Sequence, residues 1–168
     1  RRHTFGAVLF TTLGAASVAS QAAEETPRAV HSAREARAVA RDAIAIVVNP
    51  ANPVNGLTLP QLSDIYQGKI TNWRQVGGED RPIVLLSRES NSGTYVYFLE
   101  HVLRLGKKSD LLFSPDTLLM PSSEGISVEV RQNPNALGYD GLGYVTSDQK
   151  VVAVARDASS PYVKPSVA

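Results

Sequence analysis

The chain contains no cysteine. That excludes disulfides, thiolate metal sites, a cysteine nucleophile and a lipid-anchored cysteine. Histidine is sparse: His3, His31 and His101 are scattered without metal-ligand spacing. His101 falls on a helix-like stretch and reads as a surface or partly buried residue. Net charge is almost absent, +1 over 168 residues, which argues against charge-driven nucleic-acid binding. The uncharged stretch from Phe5 to Val18 is too short, and too rich in Gly, Ser and Thr, for a transmembrane helix. Internal repeats are lacking. What is present is an ordinary apolar fraction of 43%, enough to build a core.

The most informative run is Ser87-Arg88-Glu89-Ser90-Asn91-Ser92-Gly93-Thr94. Before it, Pro82-Ile83-Val84-Leu85-Leu86 reads as a buried strand. After it, Tyr95, Phe98, Leu99, Val102 and Leu103 recur at helical spacing up to Gly106. Ser92-Gly93-Thr94 therefore opens a helix, where the first N–H groups lack intrahelical partners and the dipole favours negative charge. Gly93 lets an oxyanion approach the backbone, the hydroxyls of Ser92 and Thr94 add donors, and Arg88 can turn a guanidinium fork onto the same anion. Ser-Gly-Thr ahead of a helix is equally the pattern of a plain N-cap with a permissive glycine.

Along the rest of the chain, residues 43–48 form a buried-strand pattern ended by Asn49-Pro50 and Asn52-Pro53. Thr58 and Gln61 fit a capping box, with Pro60 in the first turn and Gly68 closing the helix. Asn72-Trp73 and Gly77-Gly78 make a turn-rich connection. Ser122 or Ser123 caps a third helix carrying Ile126, Val128 and Val130, which ends near Asn133-Pro134. Leu142-Gly143-Tyr144-Val145 and Val151-Val152-Ala153-Val154 read as closing strands. Trp73 and Tyr66 are expected to pack, and Gly138, Gly141 and Gly143 to serve turns and close packing around Tyr139 and Tyr144. Alternating strands and helices imply an α/β layer fold with helices on a sheet, and such sheets bind ligands at strand-to-helix turns.

The N-terminal region reads as processing and linker sequence. Arg1-Arg2-His3, the apolar stretch and Ser20-Gln21-Ala22 fit a cleavable secretory signal over residues 1–22. Removing it takes away two arginines and no acid. Residues 23–41 are an Ala/Arg-rich linker; no aromatic interleaves with Arg28, Arg34, Arg37 and Arg41, so a nucleic-acid patch is not indicated. The globular part is expected over 42–157, followed by a tail over 158–168.

Several stretches together resemble the periplasmic phosphate-binding proteins of phosphate ABC transporters. They are, in order, residues 44–50, 57–62, 68–73, Ser87-Arg88-Glu89 with Ser92-Gly93-Thr94, 133–139 and 141–145. The resemblance implies a type 2 periplasmic-binding-protein-like fold, here a single lobe with a mixed sheet flanked by helices. It implies binding of inorganic phosphate, or a similar oxyanion, by the solute-binding component of a phosphate transporter in the periplasm. Arg88, Ser92, Gly93 and Thr94 are the implied phosphate ligands. The implied partners are an ABC permease or a complementary lobe, with no nucleic acid, cofactor or metal. An enzyme is not expected, because no base stands beside Ser92 in the sequence.

The chain departs from the family pattern in three ways. The other lobe and the C-terminal return to it are not found. The acid that family members carry two residues after the motif arginine is Ser90 here, and Glu89 is one step along an extended chain, pointing away. No residue, Asp42 included, matches the family's carboxylate acceptor for the proton of phosphate. Weak binding with poor discrimination against sulfate is therefore expected. The alternative is a truncated or degenerate lobe acting as a structural or interaction module without high-affinity ligand binding.

Overall fold

The computed structural model describes residues 44–165. The expected signal segment, the linker and Asp42 lie outside the described residues. Six strands form one mixed sheet: β1 (Ile44–Val48), β2 (Gly56–Thr58), β3 (Val84–Arg88), β4 (Leu118–Met120), β5 (Ala136–Gly141) and β6 (Lys150–Ala155), in the order β2-β6-β1-β5-β3-β4. β1 runs antiparallel to β5 and β6, whereas β3 runs parallel to both β4 and β5. Helix α1 (Leu59–Tyr66), helix α2 (Gly93–Phe98, continuing into a π turn over Leu99–Leu103) and helix α3 (Ser123–Gln132) cover the sheet. The expected α/β architecture, a mixed sheet flanked by helices, is what the chain adopts.

Period-two alternation divides the sheet between two apolar clusters. Ile46, Val48, Leu85, Leu137 and Tyr139 face α1 and α2, against Leu62, Tyr66, Phe98 and Val102. Ala45, Val47, Leu86 and Ala136 face α3, against Ile126 and Val130. α1 starts where the capping box was expected: Thr58 N–H donates to Gln61 Oε1 at 2.9 Å and Gln61 N–H to Thr58 Oγ1 at 3.2 Å. Ser122, rather than Ser123, caps α3, accepting from Gly125 N–H at 3.1 Å.

The strand positions need correcting in two places. The expected strand at 82–86 runs at Val84–Arg88 instead. Pro82 has no N–H to offer and makes only an isolated bridge to Asn72, while the polar Ser87 and Arg88 stay in the ladder through β4. The expected strand at 142–145 is a 3-10 turn over Leu142–Tyr144, with the real strand just before it. β5 is buried on both faces yet carries Gly138 and Asp140, so it lacks an apolar run. Gly138 is required by packing, since a Cβ there would sit 2.8 Å from Ile126 Cγ2. β2 and β4 have three residues each, too few for alternation to register. Past β6, Val163 bridges back to Val154 through a reciprocal pair of 2.9 Å backbone bonds.

Candidate functional site

The carboxyl ends of the parallel strands β4, β3 and β5 meet along one edge, the place where α/β sheets receive ligands. β3 ends at Arg88 and turns into α2 at Gly93. β4 ends at Met120 and turns into α3 at Ser123. β5 ends at Asp140 and Gly141. Val84 and Leu85 pair with Ala136 and Leu137, so the same parallel register brings Ser87 level with Tyr139 and Arg88 level with Asp140. Ser87 Oγ and Tyr139 Oη are hydrogen-bonded at 2.6 Å on the α2 side. By alternation, Arg88 and Asp140 point to the α3 side.

There the guanidinium of Arg88 meets the first turn of α3. Arg88 Nη1 donates to Ser123 Oγ at 3.0 Å, and Ser123 Oγ donates to Asp140 Oδ1 at 2.7 Å. Gly141 N–H donates to the same Oδ1 at 2.8 Å. Among the described residues Arg88 forms no direct ion pair. Glu89 and Ser90 are exposed; neither takes the place of the acid expected behind the arginine.

The Ser92-Gly93-Thr94 loop opens α2 as the spacing predicts. Ser92 stands at the N-cap with extended backbone but makes no side-chain capping bond, which removes the plain-cap reading of its hydroxyl. The first helical bond runs from Val96 N–H to the Ser92 carbonyl at 3.2 Å, so the N–H groups of Gly93, Thr94 and Tyr95 precede any intrahelical acceptor. A Cβ at Gly93 would meet nothing of the protein within 4 Å, so packing does not require glycine there. The loop is anchored from below by Phe98, whose ring stacks on Tyr139 at 3.7 Å and 7°. Burial raises the Tyr139 phenol to about 12, against its bond to Ser87, so Tyr139 stays neutral.

Sequence reasoning did not single out Asp140, which is 1% exposed. Burial raises its pKa above the ordinary 3.8, with the bonds from Ser123 and Gly141 and the nearby Arg88 charge opposing the rise. The native fold thus holds this proton more tightly than the unfolded chain does. The stabilisation from that proton is complete below 3.8 and is lost as pH rises through the higher folded value. Asp140→Asn removes this pH dependence. Relative to the parent, the variant should gain stability as pH rises across that window, as read by denaturant unfolding at a series of pH values. A parent-to-variant difference that does not change with pH would refute it.

The remaining candidates serve structure. Trp73 is buried and donates its indole N–H to the Asn135 carbonyl at 3.0 Å. Tyr66 is buried among Phe98, Phe113 and Tyr139, with its hydroxyl on the Leu86 carbonyl at 3.1 Å. His101 is exposed and lies against the Tyr97 ring. A surface depression lined by Trp73, Glu79, Arg81 and Pro134 lies at the opposite end of β3 and β5, and there Arg81 is paired with Glu79 at 2.7 Å.

Comparisons with known proteins place the chain in a family. Residues 12–166 match the PBP superfamily domain. The phosphate-binding protein PstS of Pseudomonas aeruginosa is 35% identical over 138 residues, 75% of this chain and 41% of that protein. PstS of Bacillus subtilis is 32% identical, over 72% of this chain and 38% of that protein. Among solved structures, an ABC-type phosphate transport receptor from Vibrio cholerae aligns with a TM-score of 0.62 at 41% identity, covering 67% of this chain and 46% of the receptor. A candidate phosphate ABC transporter substrate-binding protein from Clostridium perfringens, solved with bound phosphate, aligns with a TM-score of 0.62 at 42% identity, covering 67% of this chain and 45% of that protein. This chain spans less than half the length of each of these relatives.

Proposed function

This chain belongs to the PBP superfamily, and on that footing we propose that it binds inorganic phosphate at the edge where β3, β4 and β5 end. It does so as a solute-binding part of a phosphate ABC transporter. The observation that carries this reading is that β3 ends in a half-buried arginine bonded to Ser123 and runs directly on into a helix start whose first three N–H groups have no intrahelical acceptor, with no protein atom near a Cβ at Gly93. Arg88 supplies charge-assisted bonds, Gly93 admits the anion to the backbone, and Ser92 and Thr94 contribute hydroxyl donors. Relatives named phosphate-binding proteins, one with phosphate bound, support the choice of anion. The role is capture rather than chemistry, in keeping with relatives named as a phosphate-binding protein and a phosphate transport receptor. A periplasmic location, a membrane permease as recipient of the anion and a complementary lobe closing the cleft belong to the same reading.

Calorimetric titration of the chain with phosphate and with sulfate tests it. Saturable heat with phosphate is expected, with sulfate binding nearly as well, because Asp140 is buried behind Ser123 and presents no carboxylate acceptor to the anion. Gly93→Ala should weaken phosphate binding by about tenfold while leaving the unfolding temperature unchanged or slightly raised, since alanine is the better helix residue and no protein atom is crowded. Absence of heat from folded protein overturns the proposal. Strong selectivity for phosphate would instead require an acceptor other than Asp140.

A further inference from the structure

We propose that Asp140 is a positioning residue that acts through Ser123 to fix the orientation of the Arg88 guanidinium at the end of β3, where the chain turns into the Ser92-Gly93-Thr94 helix start. This rests on the reading of Arg88 as a phosphate ligand. Ser123 has a single hydroxyl proton. Donated to Asp140 Oδ1 at 2.7 Å, it leaves the oxygen's lone pairs to accept from Arg88 Nη1 at 3.0 Å. The three groups form one directional chain in which the guanidinium donates to the hydroxyl and the hydroxyl donates to the carboxylate. The chain does the work of an acid on the arginine's own loop, where this sequence has Ser90.

Three features favour positioning over a simple turn-stabilising role. The Gly141 N–H bond to Asp140 Oδ1 joins neighbours at the end of β5, so the added Ser123 bond, which ties α3 to β5, has no part in that local contact. Ser122 does the helix capping, which leaves Ser123 free for the relay. Arg88 Nε and Asp140 Oδ2 are both buried without a partner, an incompletely satisfied arrangement that costs stability and that apolar residues would avoid.

The test reads the guanidinium directly. In full-chain protein labelled with 15N arginine, the Arg88 side-chain signals are identified by their loss in Arg88→Lys. Hindered rotation of the Arg88 guanidinium is expected in the parent. Asp140→Asn and Ser123→Ala should release it and weaken phosphate binding by about tenfold, while Ser123→Thr, which keeps the hydroxyl, stays close to the parent in both readouts. Unfolding curves confirm that each variant is folded, and Ser123→Ala decides the matter if Asp140→Asn is not. A guanidinium still hindered in the folded variants overturns the proposal. So does unchanged phosphate affinity once the guanidinium is released. If the parent itself shows no phosphate binding, the functional reading fails, and the guanidinium signal alone still shows whether Asp140 positions Arg88.

Discussion

Arg88→Ala is expected to lower phosphate affinity by about a hundredfold or more. Hydrogen bonds to a charged group contribute roughly 1.5–3 kcal/mol each, and a guanidinium fork places two of them on one anion. Loss of both removes about 3 kcal/mol at the least, which is two powers of ten in the dissociation constant. Arg88→Lys keeps the charge but not the planar fork, and its single ammonium cannot face the anion and Ser123 in the same geometry. It should therefore fall between parent and alanine variant. Titration of the three proteins at one salt concentration checks the ranking, because exposed electrostatic attraction is screened by salt. Equal affinities for parent and Arg88→Ala would remove Arg88 from the site. The alanine variant also leaves Asp140 without the cation that opposes its raised pKa, so its pKa should rise further. Its stability should then fall more steeply than the parent's as pH rises through that folded value.

Phe98→Ala should be the most damaging single substitution for stability, with an expected loss of about 3–5 kcal/mol. The ring is fully buried, stacks on Tyr139 and meets the edge of Tyr66 at 4.8 Å. Its removal leaves a cavity between α2 and the sheet that the surrounding rings cannot collapse into, because Tyr66 and Tyr139 are tied by their hydroxyls to Leu86 and Ser87. For a domain of ordinary stability, about 5–15 kcal/mol, that is a large share of the total. Denaturant unfolding of parent, Phe98→Ala and Phe98→Leu measures it, with the leucine variant losing much less. A loss under about 1 kcal/mol for alanine would show that the aromatic stack is not the keystone of this face. The same variant should weaken phosphate binding under conditions where it remains folded, because Phe98 anchors the helix whose first turn carries Ser92, Gly93 and Thr94.

Local chemistry made much of this molecule legible. The capping box at Thr58 and Gln61 is complete within four residues, and it forms as written. The helix after Ser92 follows from apolar spacing, and the strand at Ile44–Val48 from an unbroken apolar run rich in β-branched residues. Where a strand's signal depends on its neighbours, local pattern does not locate it. Apolar pattern alone puts β3 two residues early, because its apolar side chains end at Leu86 while the hydrogen-bond ladder continues to Arg88. β5 carries no strand pattern, because its glycine makes room for Ile126 and its aspartate answers an arginine on another strand.

By itself the sequence determined the α/β class, the helix starts, among them the Ser92-Gly93-Thr94 turn, and the kinship to phosphate-binding proteins. All of these rest on residues close together in the chain. Only the tertiary structure decided what stands behind Arg88. Its link to Ser123 spans 35 residues and the link from Ser123 to Asp140 spans 17. Parallel strands acquire neighbours through crossovers, so their register is set by packing of the whole sheet and leaves no local trace. Asp140 looks like an interruption in a strand until that register places it level with an arginine.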